Sequence, residues 1–273
     1  MKIRFFDRRV IKTFSIIATW TLAVSSLAIS IILSLLDVSL IWGVGIVGIL
    51  IVIHILIYTG VWCHCKKKNS VTIKIRGTTI NIREGDIFEE KCKKVIAWNE
   101  FFDTQVDDII IAKGSLHGTF INTYIQDIPA LDKHIEEYLS CSKQTMTNRP
   151  VGKKIRYELG TIVPYGDYLF LAYSRFDKNN AAFLEKEDVA KVYMKMWDEI
   201  DRYKAHDSIS MPVLGSSKIV RGVNYTPQQW VELILWSFNT SGVNMTRLAS
   251  INIIIHPTMT KEINFLKLAE FSD

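Results

Sequence analysis

Two long uncharged runs near the N-terminus constrain this 273-residue chain more than any other feature. Residues 14–36 contain no charged side chain, and residues 38–62 contain no Asp, Glu, Lys or Arg. Each run exceeds the ~20 residues that a helix needs to cross a hydrocarbon core of ~30 Å. A secretory signal peptide has a shorter apolar core and is not followed at once by a second run. The sequence therefore predicts two transmembrane helices, joined by a tight turn near Asp37.

Basic side chains lie at both outer ends of this predicted hairpin. Residues 2–12 hold five of them and residues 66–68 are all lysine, whereas the turn between the two runs has none. Because lysine- and arginine-rich flanks stay in the cytoplasm, we expect both termini to be cytoplasmic. The flanks also account for much of the formal net charge of +5, so the composition does not favour a nucleic-acid partner.

Small residues recur at helical spacing within both runs. The first run has them at Ser26, Ser30 and Ser34, and the second at Ser39, Gly43, Gly45 and Gly48. Such residues let helices approach closely in lipid. The two stripes can therefore pack against each other within one hairpin, or they can join neighbouring copies of the chain. The glycines also spell GxGxxG, but a dinucleotide site needs a strand before that motif, so we reject it here.

Histidine and cysteine near the second run leave further alternatives open. His54 is a functional candidate because it is ionisable within a span, but it can also sit neutral against the other helix. Cys63 and Cys65 could belong to a metal site or an acylation site, and no partner pair at zinc spacing accompanies them. We predict no metal site and interpret all four cysteines as free thiols.

The remaining chain, 69–273, is predicted to be one soluble α/β domain beside a membrane segment of residues 1–68. Short β-branched runs alternate with amphipathic helical ones, which favours a mixed, largely parallel sheet covered by helices. We predict strands at 71–76, 79–83, 95–98, 109–112, 157–163, 168–174, 208–213 and 250–256. We predict helices at 118–126, 129–139, 185–203 and 226–240, and a last helix that follows the strand at 250–256 and runs through Glu270. Thr226 is a candidate N-cap, and Gly242 a candidate helix end.

Two glycine-containing loops follow predicted strands and precede predicted helices. Ligands of such sheets bind beyond the carboxyl ends of the strands, and helix N-termini favour phosphate. The first loop is Gly114-Ser115-Leu116-His117-Gly118, and the second is Gly215-Ser216-Ser217-Lys218-Ile219-Val220-Arg221-Gly222. Lys218 and Arg221 add positive charge to the second loop. Together the two loops suit a diphosphate, although each taken alone could be an ordinary turn.

These motifs together resemble the macro domain, a three-layer α/β/α fold that binds ADP-ribose. Gly85-Asp86-Ile87-Phe88 is similar to the family's Gly-Asp-Ile-Thr, which implies that Asp86 contacts an adenine amino group. Asn99 stands where the family has a strand-end asparagine facing the distal ribose. The resemblance thus implies these ligand-binding residues: Asp86, Ile87, Asn99, Gly114, Ser115, Leu116, His117, Gly118, Gly215, Ser216, Ser217, Lys218, Ile219 and Arg221.

A membrane hairpin joined to a macro domain is similar to the membrane-anchored effectors of type II Thoeris antiphage defence. That resemblance implies a bacterial inner-membrane protein and a TIR-domain partner that makes an ADP-ribose-derived messenger of the histidine-ADP-ribose type. The macro domain would sense the messenger, and the hairpin would form homo-oligomers and disrupt the bilayer, leading to abortive infection. No enzymatic activity, catalytic residue or other cofactor is then expected.

The two loops depart from the usual macro-domain pattern. The first lacks a run of glycines and contains His117, and the second has Ser-Ser-Lys where Thr-Gly is common. These departures could encode selectivity for a decorated messenger, or they could weaken binding. Two other functions stay open: a membrane-tethered ADP-ribosyl or ADP-ribose hydrolase, and a passive scaffold that binds a protein through the helix at 185–203.

Overall fold

The computed structural model describes residues 3–35, 40–203, 207–215 and 219–273. Within these ranges the chain forms two compact units. One comprises Met1–Asn69 with Asn264–Glu270, and the other comprises Ser70–Ile263 with Phe271–Asp273. The predicted turn near Asp37 and the side chains of Ser34 and Ser39 lie outside what is described. The domain division between residues 68 and 69 stays a prediction.

Two long helices dominate the first unit, α1 (Arg8–Leu35) and α2 (Leu40–Lys67). Each has 28 residues, about 42 Å at 1.5 Å per residue, which exceeds the ~30 Å of a bilayer core. Arg8–Ile31 and Gly43–Lys67 are long and apolar enough to cross a membrane. The two helices thus fit the predicted transmembrane hairpin.

Side-chain contacts between the helices show that they run antiparallel. The Nε2 atom of His54 lies 3.1 Å from the Oγ1 atom of Thr21, and its Nδ1 atom lies 2.8 Å from the carbonyl oxygen of Leu50. Nearer the termini, Phe14 and Tyr58 meet edge to face with their ring centroids 5.1 Å apart. These contacts favour the interpretation of His54 as a residue held against a helix partner.

Four small residues of the two stripes are exposed, whereas Gly43 is half-buried. Ser26 and Ser30 are exposed, and each hydroxyl donates to a carbonyl of its own helix. Gly45 and Gly48 are exposed too, and a Cβ added at either would meet nothing within 4 Å. These four residues therefore do not form the contact between α1 and α2.

The second unit contains strands and helices in alternation. Its strands are β1 (Ser70–Ile75), β2 (Thr78–Glu84), β3 (Lys93–Asn99), β4 (Gln144–Met146), β5 (Ile155–Tyr157), β6 (Ile162–Tyr165), β7 (Tyr168–Phe176), β8 (Ala182–Glu185), β9 (Ile209–Pro212), β10 (Val220–Arg221) and β11 (Ile251–Ile255). Its helices are α3 (Leu116–Tyr124), α4 (Ile128–Leu139), α5 (Lys186–Arg202), α6 (Pro227–Ser241) and the short α7 (Pro257–Thr260), and a last helix, α8 (Phe265–Leu268), belongs to the first unit.

Within the described residues, nine strands form one mixed sheet in the order β1-β2-β11-β9-β3-β7-β8-β10, with β6 also paired to β7. The pairs from β2 to β7 are parallel, as is β8 with β10, whereas β1–β2, β6–β7 and β7–β8 are antiparallel. β4 and β5 form a separate two-stranded sheet. The predicted mixed, largely parallel sheet is confirmed.

Helices cover both faces of the main sheet. On one face, Phe170 of β7 joins a buried cluster with Phe120 of α3 and Leu131 of α4. On the other face, Tyr173 of β7 contacts Tyr193 of α5, because odd and even positions of a strand point to opposite sides. α5 packs on α6 through Trp197, whose Nε1 atom donates to Ser237 at 2.9 Å. The result is the expected three-layer α/β/α arrangement.

The predicted ends of α6 are confirmed in detail. Thr226 and Gln229 form a reciprocal capping box at its start, with a proline at the first turn. Gly242 ends the helix in the left-handed conformation with a φ of 76°. All four cysteines are free thiols, as expected.

The predicted strand at 109–112 is wrong. Asp107 accepts hydrogen bonds from the backbone N–H groups of Ile109 and Ile110, and Asp108 accepts one from Lys113. Asp108 also has a φ of 64°. Local bonds from aspartate side chains satisfy the backbone groups that a strand would have paired, so the segment forms a compact loop. These same bonds lower the pKa of Asp107.

Two predicted elements, the strand at 157–163 and the C-terminal helix, are each divided in the structure. The predicted strand at 157–163 divides into β5 and β6, because Gly160 turns the chain with a φ of 86°. A Cβ on Gly160 would lie 2.7 Å from Cβ of Lys195. The predicted C-terminal helix is instead two four-residue helices, α7 and α8, each opened by its own side-chain cap, His256 or Asn264.

Candidate functional site

An open cleft of about 700 Å³ lies at the carboxyl ends of the central parallel strands. β3, β9 and β11 contribute Asn99, Pro212 and Ile254, their last or nearly last residues. This is the edge at which open α/β sheets bind ligands. Nine residues of the predicted site line the cleft: Asp86, Ile87, Asn99, Gly114, Ser115, Leu116, His117, Gly215 and Ile219.

Asp86 opens a short 3-10 turn between β2 and β3. Its Oδ1 atom accepts a hydrogen bond of 2.9 Å from the backbone N–H of Phe88, so it acts as the N-cap of the turn Ile87–Glu89. Its Oδ2 atom has no partner among the described residues, and the side chain is exposed at the cleft. One carboxylate oxygen therefore fixes the turn, and the other can accept a hydrogen bond from a ligand.

Asn99 ends β3 with its side chain 2% exposed. Its Oδ1 atom accepts from the backbone N–H groups of Phe101 and Asp103, at 2.9 and 3.4 Å. Its Nδ2 atom is buried and has no hydrogen-bond partner in the described part of the chain. The backbone bonds thus orient the amide, and its two donor hydrogens are left without a partner in the described chain.

Residues 114–118 form a capped helix start at the cleft edge. The Ser115 hydroxyl accepts from Gly118 N–H at 2.9 Å and donates to the Ala112 carbonyl at 2.7 Å. That hydroxyl is thereby occupied, whereas the N–H groups of Leu116 and His117 have no partner within the described residues. Gly118 lies outside the cleft lining, and a Cβ there would sit 2.3 Å from the Ala112 carbonyl oxygen. Its glycine is needed for close packing.

His117 is a buried ring stacked on Trp98. The two ring centroids are 3.8 Å apart, and the Nε2 atom of His117 has no hydrogen-bond partner among the described residues. Burial lowers the pKa of His117 to about 3, opposed by a hydrogen bond to the backbone of Asp103. The ring is therefore neutral at physiological pH, and its side chain offers no positive charge to a phosphate.

Lowering the pH from 7 to 5 should destabilise the protein through His117 by about 2 kcal/mol. The unfolded chain binds a proton below a pKa of 6.5, whereas the folded chain binds it only near pH 3, so stability falls across that window. Thermal unfolding of the wild type and His117→Phe at both pH values measures the effect. The wild type should lose more stability than the variant, and equal losses would contradict the buried neutral ring.

The second loop is described only at its two ends. Gly215 has a φ of 86°, and a Cβ there would lie 2.6 Å from the Trp230 ring and 2.8 Å from the Tyr173 hydroxyl. Ile219, at the other described end of the loop, also lines the cleft. Ser216, Ser217 and Lys218 lie outside the described residues. Arg221 lies outside the cleft lining, stacked on Phe183 at 3.8 Å and within ion-pair distance of two carboxylates, Glu185 and Asp177.

Several cleft residues were not predicted from the sequence. Trp98 precedes Asn99, and its Nε1 atom is buried without a partner in the described chain. Tyr173 underlies Gly215, and its hydroxyl lies 3.5 Å from that of Tyr193. Burial raises the pKa of both tyrosines, so both stay protonated. Phe176, Asn180, His256 and Met259 are among the other residues that line the cleft. In the sequence, only the position of Trp98 at a predicted strand end could have indicated one of these residues.

Comparisons with known proteins agree with this geometry. A family model described as the macro domain of the Thoeris protein ThsA matches residues 80–256. A Thoeris protein ThsA from Bacillus amyloliquefaciens (strain Y2) is 37% identical over 211 residues, which are 74% of this chain and 71% of that protein.

Solved structures of the Oceanobacillus iheyensis macrodomain are similar in fold. A mutant with ADPR has a TM-score of 0.50 at 12% identity, covering 74% of this chain and 97% of its own. The same macrodomain with ADP has a TM-score of 0.48 at 12% identity, covering 74% of this chain and 95% of its own. At 12% identity the likeness concerns the fold alone.

Proposed function

The chain belongs to the Thoeris protein ThsA macro-domain family, and we propose from this premise that it is a ligand-gated effector of antiphage defence. Its α/β unit senses an ADP-ribose-derived messenger, of the histidine-ADP-ribose type, made by a TIR-domain enzyme. Binding drives homo-oligomerisation, and the hairpin then disrupts the bacterial inner membrane and causes abortive infection.

The cleft carries this proposal, because it leaves buried polar groups without partners. Trp98, Asn99 and His117 each line it, and each has a buried nitrogen with no hydrogen-bond partner among the described residues. A buried polar atom without a partner costs about 1–3 kcal/mol. Three such atoms in one cleft at the carboxyl edge of the sheet support a binding site for a polar ligand.

The placement of the predicted residues supports a nucleotide orientation. Asp86 would accept a hydrogen bond from the adenine amino group with its unoccupied oxygen. The free N–H groups of Leu116 and His117, at the start of a nine-residue helix, would bind one phosphate. The loop from Gly215 to Ile219 would bind the other. Arg221 would then act through long-range charge, because its guanidinium is engaged with Phe183 and carboxylates.

The hairpin supports a membrane response. Gly45 and Gly48 are exposed and a Cβ at either would meet nothing within 4 Å, which leaves them available to a second copy of the chain. The basic flanks favour cytoplasmic termini, with the sensing unit in the cytoplasm. A ligand shifts assembly only if it binds the assembled state more tightly than the free one. The messenger must therefore contact loops that change on assembly.

A non-enzymatic role agrees with the chemistry of the cleft. A hydrolase needs a general base near the reacting bond, and the neutral ring of His117 has too low a pKa to be one at pH 7. Asp86 caps a turn, and Asp108 is held by Lys113 through both its backbone and its ammonium group. We therefore propose a sensor, and expect no release of ADP-ribose from modified proteins or esters.

Asp86→Ala should abolish messenger binding and toxicity without affecting membrane insertion. The substitution removes the proposed adenine acceptor together with the cap of the turn, whereas Asp86→Asn keeps an oxygen for the cap and removes the charge. Calorimetry of the full chain in nanodiscs, against ADP-ribose, NAD and histidine-conjugated ADP-ribose, measures binding. Phage-dependent growth arrest measures the response.

Asp127→Ala provides the matched control. Asp127 caps α4 as Asp86 caps its turn, accepting from Ala130 N–H at 2.9 Å, but it lies outside the cleft lining. Its loss should cost about 1 kcal/mol of stability and leave binding intact. Full signal-dependent growth arrest by a well-expressed Asp86→Ala chain would rule out this assignment of the site.

A further inference from the structure

The last residues of the chain pass from one compact unit to the other and back. Residues 264–270, which we call the C-terminal strap, belong to the unit of the two long helices. Ile263 before them and residues 271–273 after them belong to the α/β unit. Within the strap, Phe265 and Leu268 are 2% and 0% exposed. The strap is therefore a packed segment, and the chain joins it to the α/β unit at both of its ends.

A two-point ion pair holds the strap to the first turn of α1. The Nε and Nη2 atoms of Arg9 donate to the two carboxylate oxygens of Glu270, at 2.6 and 2.9 Å. Exposed ion pairs contribute little as a rule, but a two-point arginine–carboxylate pair is stronger and more directional than a single contact. The hydrogen bond from Arg9 lowers the pKa of Glu270, so the carboxylate stays ionised and the pair intact at neutral pH.

The start of the strap follows closely on the wall of the cleft. His256 caps α7 and Met259 lies on it, and both line the cleft. Only four residues separate Met259 from the strap. The N–H of Glu262 donates to the Met259 carbonyl at 2.9 Å, and that of Ile263 donates to the Thr260 carbonyl at 3.0 Å. These tight turns make the connection short, so a ligand that displaces Met259 would also displace the start of the strap.

The far end of the strap is fixed to β1. The N–H of Asp273 donates to the Lys74 carbonyl at 2.9 Å, and the Lys74 N–H donates to the Ser272 hydroxyl at 3.2 Å. The Asp273 carboxylate also accepts from the Arg76 N–H at 2.5 Å. Because this end is fixed, a displacement at the α7 end is taken up within the strap, where its ion pair with α1 lies.

We propose that the C-terminal strap is an autoinhibitory clasp, in which the Arg9–Glu270 pair restrains α1 until a messenger bound against His256 and Met259 releases it. The inference rests on the proposed function, and it names how the cleft regulates the hairpin. An interaction within one chain stabilises the conformation that contains it. A conformation that lacks the pair, such as the assembled one proposed here, therefore gains population when the pair is removed.

Charge reversal at Glu270 tests the clasp. Glu270→Arg places a cation within electrostatic reach of Arg9, Lys12 and Lys267, so the strap should leave α1. The full chain in vesicles should then release dye at a concentration of histidine-conjugated ADP-ribose about fivefold lower than the wild type requires. Glu270→Gln, which removes the charge without adding repulsion, should lower this threshold by a smaller factor.

Hydrogen exchange gives a second readout that does not depend on dye release. Exchange at the backbone N–H groups of residues 264–270 should be faster in Glu270→Arg than in the wild type. It should also become faster in the wild type when histidine-conjugated ADP-ribose is added. Both changes are expected because a strap released from α1 loses the contacts that protect it.

A double substitution and a matched control separate the pair from a general effect of charge. Arg9→Glu with Glu270→Arg re-forms the pair with exchanged charges. It should recover part of the wild-type threshold, since Asp7 lies 3.5 Å from Arg9 and would repel a glutamate there. Glu137→Arg reverses an exposed charge on α4, 3.8 Å from Lys133 and outside the cleft lining. This control should leave the threshold unchanged.

The outcomes distinguish the clasp from the proposed function. A threshold in Glu270→Arg within twofold of the wild type, or above it, would overturn the clasp and leave the proposed function standing. So would a wild-type chain that binds the histidine conjugate and releases dye while exchange in the strap stays unchanged. A wild-type chain that does not bind the conjugate would overturn the proposed function, and this inference with it.

Discussion

Gly215→Ala is expected to lower the free energy of unfolding by about 2–5 kcal/mol and to abolish ligand binding. Gly215 has a φ of 86°, a conformation that costs an L-residue about 1–2 kcal/mol. Its new Cβ would lie 2.6 Å from the Trp230 ring and 2.8 Å from the Tyr173 hydroxyl. Both rings are buried, so relief requires the loop after β9 to move. Thermal and denaturant unfolding of the purified chain measures the loss.

Gly166→Ala separates the two causes of that loss. Gly166 also has a positive φ, 55°, but a Cβ there would meet nothing within 4 Å. The free energy of unfolding of the control variant should fall only by the cost of the left-handed backbone, about 1–2 kcal/mol, and the variant should bind ligand normally. Equal destabilisation of the two variants would show that the Trp230 and Tyr173 rings move aside without loss of stability. The close packing at Gly215 would then not hold the loop in place.

The sequence predicted those parts of the fold that depend on local patterns. Alternation of β-branched residues predicted β1 and β2, and the Thr226 capping box predicted the start of α6. The strand at 109–112 failed because its apolar residues follow Asp107 and Asp108, whose side chains bond the backbone locally. Apolar content alone does not distinguish a strand from a loop buried by such bonds.

The sequence predicted nine residues that line one cleft, because its loops follow strands that a motif identifies. The ligand-binding roles of these residues stay a prediction. What the sequence could not give is the orientation of each side chain. His117 was predicted as part of a phosphate loop, yet its ring stacks on Trp98, so in the proposed site only its backbone N–H would be left for a phosphate. Trp98 and Tyr173 were missed because their roles depend on contacts between residues distant in sequence. Arg221 was predicted to bind ligand from its charge, but Phe183 and carboxylates engage it.

A double substitution, Gly45→Leu with Gly48→Leu, should eliminate membrane disruption while preserving insertion and ligand binding. Both glycines are exposed on α2, three residues apart on one face, and leave open space where a Cβ would stand. Leucine would not clash within the hairpin and would raise its hydrophobicity, so insertion should persist. Two helices that meet at these glycines in an assembly would be held apart, since close approach requires small residues.

Val47→Leu is the appropriate control, because Val47 is exposed on a different face of the same helix, about 100° around the axis from Gly48, and its substitution also adds bulk. Crosslinking in membranes with and without messenger, together with dye release from vesicles, measures assembly and disruption. The double variant should bind messenger with wild-type affinity yet stay unassembled, and Val47→Leu should behave as wild type. Dye release by the double variant at the wild-type rate would mean that the glycine face lies against lipid, and that disruption requires no close contact between helices there.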